Sequence, residues 1–330
     1  SDSRKSPGQP ADREHARQQK NGTRRAAQEG TAKAGATVVG GVTLSHPDRL
    51  LFPEQAVTKL ALARYYEAVG EWMLPHVMDR PLTVLRCPEG YRQECFYQKH
   101  ANDHMSDLIG RVEVPEDQGT ACYMAAQSLD ALLALVQMGV LEIHTWGAKR
   151  DKLDRPDRMI LDLDPGPEVD WPSVVEAAQL LRTLLDELSL ASFLKTTGGK
   201  GLHVVVPLQR VHQWDEVKTF SKAIAEHLER TIPDRFVATM SKAKRTGKIY
   251  VDYLRNGQGA TAVAAYSTRA RPGAPVSVPV RWDELSVELR SDSFTLANLP
   301  DRLRGLSGDP WAGYDSTKQR ITKTMRLAFT

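Results

Sequence analysis

The spacing of apolar and polar residues along this chain changes several times, and each change marks an element. KLALARYYEAVGEWML reads as a helix from a cap at Thr58 to Leu74, with Pro75 as its predicted stop. SLDALLALVQMG predicts a second helix from Ser128, closed by Gly139 in a left-handed cap, and LEIHTW then reads as a strand. In RMILDLD the period falls to two: Met159, Leu161 and Leu163 point one way, Ile160, Asp162 and Asp164 the other. Both carboxylates thereby share a face, just before the turn Pro165-Gly166-Pro167. Helical spacing returns in WPSVVEAAQLLRTLLDELSL, with Pro172 in the first turn. SFLKTT and GLHVVVPL predict two strands around Gly198-Gly199-Lys200-Gly201. A helix from Trp214 to Arg230 and a strand KIYVDYL follow. This order predicts a mixed α/β fold of the α+β type, with antiparallel hairpins in place of a regular βαβ succession.

Composition adds two boundaries. Residues 1–36 contain no aliphatic or aromatic anchor and carry eight Lys/Arg against four Asp/Glu, so they predict a disordered basic linker followed by one folded unit over 37–330. A linker at that position suggests a piece of a longer multidomain protein, although a natural basic arm has the same composition. The whole chain has net charge +3, so the folded part is slightly acidic and any grip on a polyanion must be a local patch. No apolar run is long enough for a membrane span, and the lack of a signal-type stretch predicts a cytoplasmic protein. Cys87, Cys95 and Cys122 form no CxxC pair and are expected to be reduced, mostly buried thiols.

Chemistry concentrates in two places. On a strand Asp162 and Asp164 stand about 6–7 Å apart, a span that divalent cations bridge. An isolated pair of this kind is more often a solvated strand end, but Asp252, set among strong strand formers in KIYVDYL, supplies a third sheet-borne carboxylate. Three such groups suit two-metal phosphoryl-type transfer. In KTTGGKGLH the glycines let backbone amides approach phosphate oxygens, while the hydroxyls, Lys200 and His203 can contact the same oxygens. A glycine hairpin with polar surface residues fits the stretch equally well, and it is not a Walker A motif.

HPDRLLFPEQAVTK, FYQKH, IHTWG, ILDLDPGP, KTTGGKGLH and VDYLRN, in that order over roughly residues 42–320, resemble the polymerase domains of bacterial ligase D. That family belongs to the archaeo-eukaryotic primase superfamily and acts in non-homologous end joining. The resemblance implies a primase-like catalytic core, with mixed or antiparallel sheets flanked by helices and with Asp162, Asp164 and Asp252 as metal ligands for two Mn²⁺ (or Mg²⁺) ions. It implies that Thr197, where the family usually has serine, Lys200, His203 and Arg269 hold the nucleoside triphosphate, with His144 and Arg255 near the same pocket. His46, where the family commonly has asparagine, Arg49 and Lys59 would grip a downstream DNA 5′-phosphate. Phe96 and Tyr97 would stack on the template, whereas without the resemblance both rings read as core residues, although a strand can turn only one of the two inward. The implied activity is template-directed addition of ribo- or deoxyribonucleotides to a DNA 3′-hydroxyl at gaps and broken ends. The implied partners are gapped duplexes and DNA ends, ligase and phosphoesterase domains of the same parent chain, and Ku. A primer-independent primase and a non-catalytic end-binding module are the competing readings. His104, His212 and His227 match no motif and are expected to be structural or surface residues.

Overall fold

The computed structural model describes residues 36–329, so the expected linker over 1–36 lies almost wholly outside the described residues. Two sheets organise the rest. In spatial order the first joins Phe236–Val237, Ile249–Asp252, Arg158–Pro165, Leu202–Pro207, Phe193–Thr196 and Pro279–Val280. Only the pairing of Phe236–Val237 with Ile249–Asp252 is parallel. The second joins Thr261–Val263, Val140–Trp146, Leu82–Arg86, Gly119–Ala125 and Gly110–Glu116, and Phe96–Gln98 also pairs with Leu82–Arg86. This is the mixed α/β architecture with antiparallel hairpins that the sequence predicts.

Local chemistry starts the helices where expected. Thr58 Oγ1 accepts from the Ala61 amide at 3.1 Å, and Ser128 Oγ accepts from the Ala131 amide at 3.2 Å. Gly139 has φ +81, and a Cβ there would stand 2.8 Å from Pro88 Cα, so glycine is required twice over. Asp170 caps Trp171–Glu187 through the Ser173 amide at 3.0 Å. Helices Trp171–Glu187 and Trp214–Thr231 pack on the first sheet, while Lys59–Val77 packs against Leu129–Gln137.

Two expectations are corrected. The helix from Lys59 does not stop before Pro75 but continues to Val77. Proline there removes one amide in the last turn, and the burial of Met73 and Val77 holds that turn in place. Cys87 and Cys95, expected as reduced thiols, form a disulfide; only Cys122 is free. The reason is topological. Arg86 pairs with Phe96, so the next residues outward, Cys87 and Cys95, face each other across the hairpin mouth with Cα atoms 4.4 Å apart.

Candidate active site

One row across the first sheet assembles the site. Asp162 lies directly opposite Asp252 on one side and His203 on the other, and His203 lies opposite Lys195. Directly paired residues of antiparallel strands share a face, so Asp252, Asp162, His203 and Lys195 project together, with Asp164 two residues along. Oxygens of Asp162, Asp164 and Asp252 all come within 4.8 Å of one another. The strand carrying the pair is also braced where the opposing strand ends. Asn256 accepts from the Ile160 amide at 2.8 Å and donates to its carbonyl at 2.7 Å, taking the place of a strand partner.

Charge in this cluster is unbalanced. Burial, reinforced by the Asp162 charge, pushes the Asp164 carboxyl up to about 7, and burial raises Asp252 as well. Burial also acts on Asp162, but the neighbouring His203 and Arg255 outweigh it and hold its carboxyl down to about 2. Because burial pushes His203 itself down to about 4, the imidazole is neutral near pH 7, and Arg255 is the true counter-charge. Arg255 Nε lies 3.3 Å from Asp162 and 3.5 Å from Asp252. One guanidinium against three carboxylates leaves room for more positive charge. Asp162 Oδ1 is buried with no hydrogen-bond donor, which is what a ligand oxygen looks like before a cation is bound. The triad therefore fits a divalent metal ion.

Beside the triad, the glycine turn is shaped by close approach. A Cβ on Gly201 would stand 2.1 Å from the Leu163 carbonyl oxygen, so this loop is pressed against the carboxylate strand. Lys200 is exposed at its tip. The Thr197 hydroxyl is turned inward: it donates to the Gly201 carbonyl at 3.0 Å and accepts from the Gly199 amide at 3.2 Å, so here it sets the loop's shape. Arg269 donates to the Thr197 carbonyl at 2.7 Å and pairs with Glu142 at 3.2 Å, which ties the loop to the second sheet.

Glu142 is a buried residue of this region that sequence reasoning missed. It is buried, it lies 2.8 Å from His144 Nε2, and it accepts from the Ala270 amide. Burial opposes its ionisation, but His144 and Arg269 outweigh burial and hold it down to about 2. The signal was present in GVLEIH, where an acid two positions before His144 on a strand must share its face.

The remaining residues form an outer region. Phe96 and Tyr97 are 42% and 64% exposed, which rules out core roles. Arg86 lies over the Phe96 ring, and Tyr97 meets the His144 ring edge-on. Arg49 is held by Glu89 at 2.6 Å and by the Pro88 carbonyl at 3.1 Å. Lys59 is buried and donates to the Gln137 carbonyl at 3.2 Å. His46 is exposed, in a turn closed by the Arg49 amide. Among the unmatched histidines, His212 is structural: its Nε2 accepts from the Ile321 amide at 3.0 Å.

A carboxylate triad that fits a metal ion, beside a glycine turn and on two largely antiparallel sheets, is the site of a nucleotidyltransferase of the primase-polymerase class. The chain belongs to the LigD primase-polymerase domain family, whose sequence model matches residues 58–311. The multifunctional non-homologous end joining protein LigD of Pseudomonas aeruginosa is 47% identical over 303 residues, 92% of this chain but 36% of that protein. The bifunctional LigD of Bacillus subtilis is 30% identical over 78% of this chain and 41% of its own length. This chain thus spans roughly a third to two fifths of such relatives. The polymerase domain from Mycobacterium tuberculosis ligase D, solved in complex with DNA, superposes with TM-score 0.78 at 30% identity, covering 83% of this chain and 98% of that one. Among the described residues no helix is long and apolar enough to cross a membrane.

Proposed function

We propose that residues 37–330 act as a template-directed polymerase of DNA gaps and double-strand-break ends, adding ribo- or deoxyribonucleotides to a 3′-hydroxyl with two Mn²⁺ or Mg²⁺ ions held by Asp162, Asp164 and Asp252. The observation that carries this reading is the register of Asp162 against Asp252, which gathers three carboxylates around one guanidinium, an excess of negative charge that added cations would relieve. When bound, the ions would supply charge neutralisation at the triphosphate and activation of the attacking hydroxyl. The protein's own groups do the rest. Lys200, Arg269 and the amides of the glycine turn hold the triphosphate, and Arg255 and His203 fix the carboxylate orientations through Asp162. The exposed rings of Phe96 and Tyr97 offer a stacking platform for template bases, worth about 1–3 kcal/mol per base. Arg49, Lys59 and His46 receive the downstream 5′-phosphate, with Arg49 exchanging its contact to Glu89 for the ligand. Ligase and phosphoesterase domains in the parent chain, together with Ku, would seal and align the same ends, at the bacterial nucleoid.

Extension of a labelled primer across a gapped duplex bearing a 5′-phosphate, with Mn²⁺ present, tests the reading. Wild-type chain is expected to extend the primer and Asp162→Ala is not. Equal extension by the variant would remove the triad from the mechanism.

A further inference from the structure

A cavity of about 510 Å³ lies at the other end of the carboxylate strand. Arg158, in its wall, begins the strand that ends in Asp162 and Asp164, so the cavity stands roughly 13 Å from the triad by strand rise. Arg80 and Arg158 are both buried there. Their guanidiniums converge on the Trp146 carbonyl, at 3.2 and 3.1 Å. Arg80 is neutralised by Asp157 through contacts of 2.8 and 2.7 Å, but the side chains that Arg158 meets are neutral, the Thr145 hydroxyl at 2.7 Å and the Tyr314 hydroxyl. Two buried cations therefore share one carboxylate, which leaves a positive charge uncompensated in the interior.

One further carboxylate, Asp315, lines the cavity and acts on Arg80, against three lysines in the same lining. His76 adds no charge, because burial and the nearby arginines hold it down to about 3. Lys149, Lys152 and Lys318 line the opening without ion-pair partners among the described residues, since Asp157 is taken by Arg80 and Arg210 is paired with Asp151. Tyr314, stacked on Trp311, supplies an aromatic wall. The volume exceeds that of one phosphate and falls within the range of small-ligand sites, about 300–1,000 Å³.

We propose that this cavity binds a phosphorylated anion of nucleotide size, at a site separate from the triad. The anion comes either from a free nucleoside polyphosphate or from a phosphorylated residue of a polynucleotide strand. The site stands whether or not the triad is catalytic. Titration calorimetry on the full chain, with divalent ions chelated and ionic strength fixed, tests it with ATP and with 5′-phosphorylated oligothymidylate. Lys149→Glu/Lys152→Glu is expected to weaken one probe by about tenfold or more, and the probe affected identifies the source. Lys222→Glu/Arg230→Glu, the same charge reversal on Trp214–Thr231, is expected to leave both probes unchanged. Undiminished binding of both probes by the cavity variant, or an equal loss in the control, overturns the proposal. Arg158→Met provides a second readout. Tripolyphosphate is expected to raise the melting temperature of wild type and not that of this variant, and an equal rise in both counts against the site.

Discussion

The triad and the proposed outer DNA grip solve opposite problems. Asp162, Asp164 and Asp252 are set by two hydrogen-bonded ladders, the first and last buried and Asp164 half-buried, so their geometry is fixed and their charge is in excess. Arg49 and the Phe96–Tyr97 rings sit on turns and short edge strands, exposed or half-exposed, and Arg49 is already satisfied by Glu89. The chemical centre is therefore rigid and carries an excess of negative charge. The outer region is satisfied and adaptable, and on the proposed function it would exchange partners to act. Rigid strands place reacting groups to fractions of an ångström, while edge elements can accommodate DNA ends of varying shape.

Three perturbations sharpen this contrast. Asp252→Ala should have the largest effect: primer extension is expected to fall by about 10³-fold or more, since even partners outside a metal's ligand shell are worth ~10–100-fold. Retention of full activity would require another third ligand. Asp164→Asn should lose extension but gain stability in chelator. The Asp164 carboxyl, pushed up to about 7 from an ordinary 3.8, destabilises the fold increasingly as pH rises from about 4 through 7. The variant is therefore expected to be more stable than wild type by about 1–3 kcal/mol at pH 8, with the difference vanishing near pH 4. Thermal melts at the two pH values decide, and a variant less stable at pH 8 would contradict the charge excess. Glu89→Gln should have the smallest effect. Exposed ion pairs are worth about 0–1 kcal/mol, so freeing Arg49 is expected to tighten binding of a 5′-phosphorylated gap by only ~2–5-fold. A hydroxyl-terminated gap should show no change, and equal tightening on both would mean that Arg49 does not face the phosphate.

Much of the triad region was legible because strand period and glycine chemistry are local signals. Asp162, Asp164 and the turn at Gly198–Gly201 could be read from RMILDLD and KTTGGKGLH alone. The position of Asp252 beside them could not, because register between strands some ninety residues apart is decided by tertiary pairing and by the Asn256 brace. The helix caps at Thr58 and Ser128 were equally readable, but Pro75 was overridden by packing of the last turn. The Cys87–Cys95 bond stayed hidden because it depends on recognising Phe96–Gln98 as the partner of Leu82–Arg86. Arg80 and Arg158 gave no signal at all, since their burial follows from how distant segments meet.

The direct opposition of Asp162 and Asp252 also has a meaning for quality control. A slip of one residue between those two strands would turn Asp252 to the far face and bring Val251 or Tyr253 into its place. A mispaired molecule would then be inert rather than wrongly active, because the partial reaction has no intermediate geometry to fall back on. On the proposed function, an error in the protein's own strand pairing silences it before it can act on a nucleic-acid end.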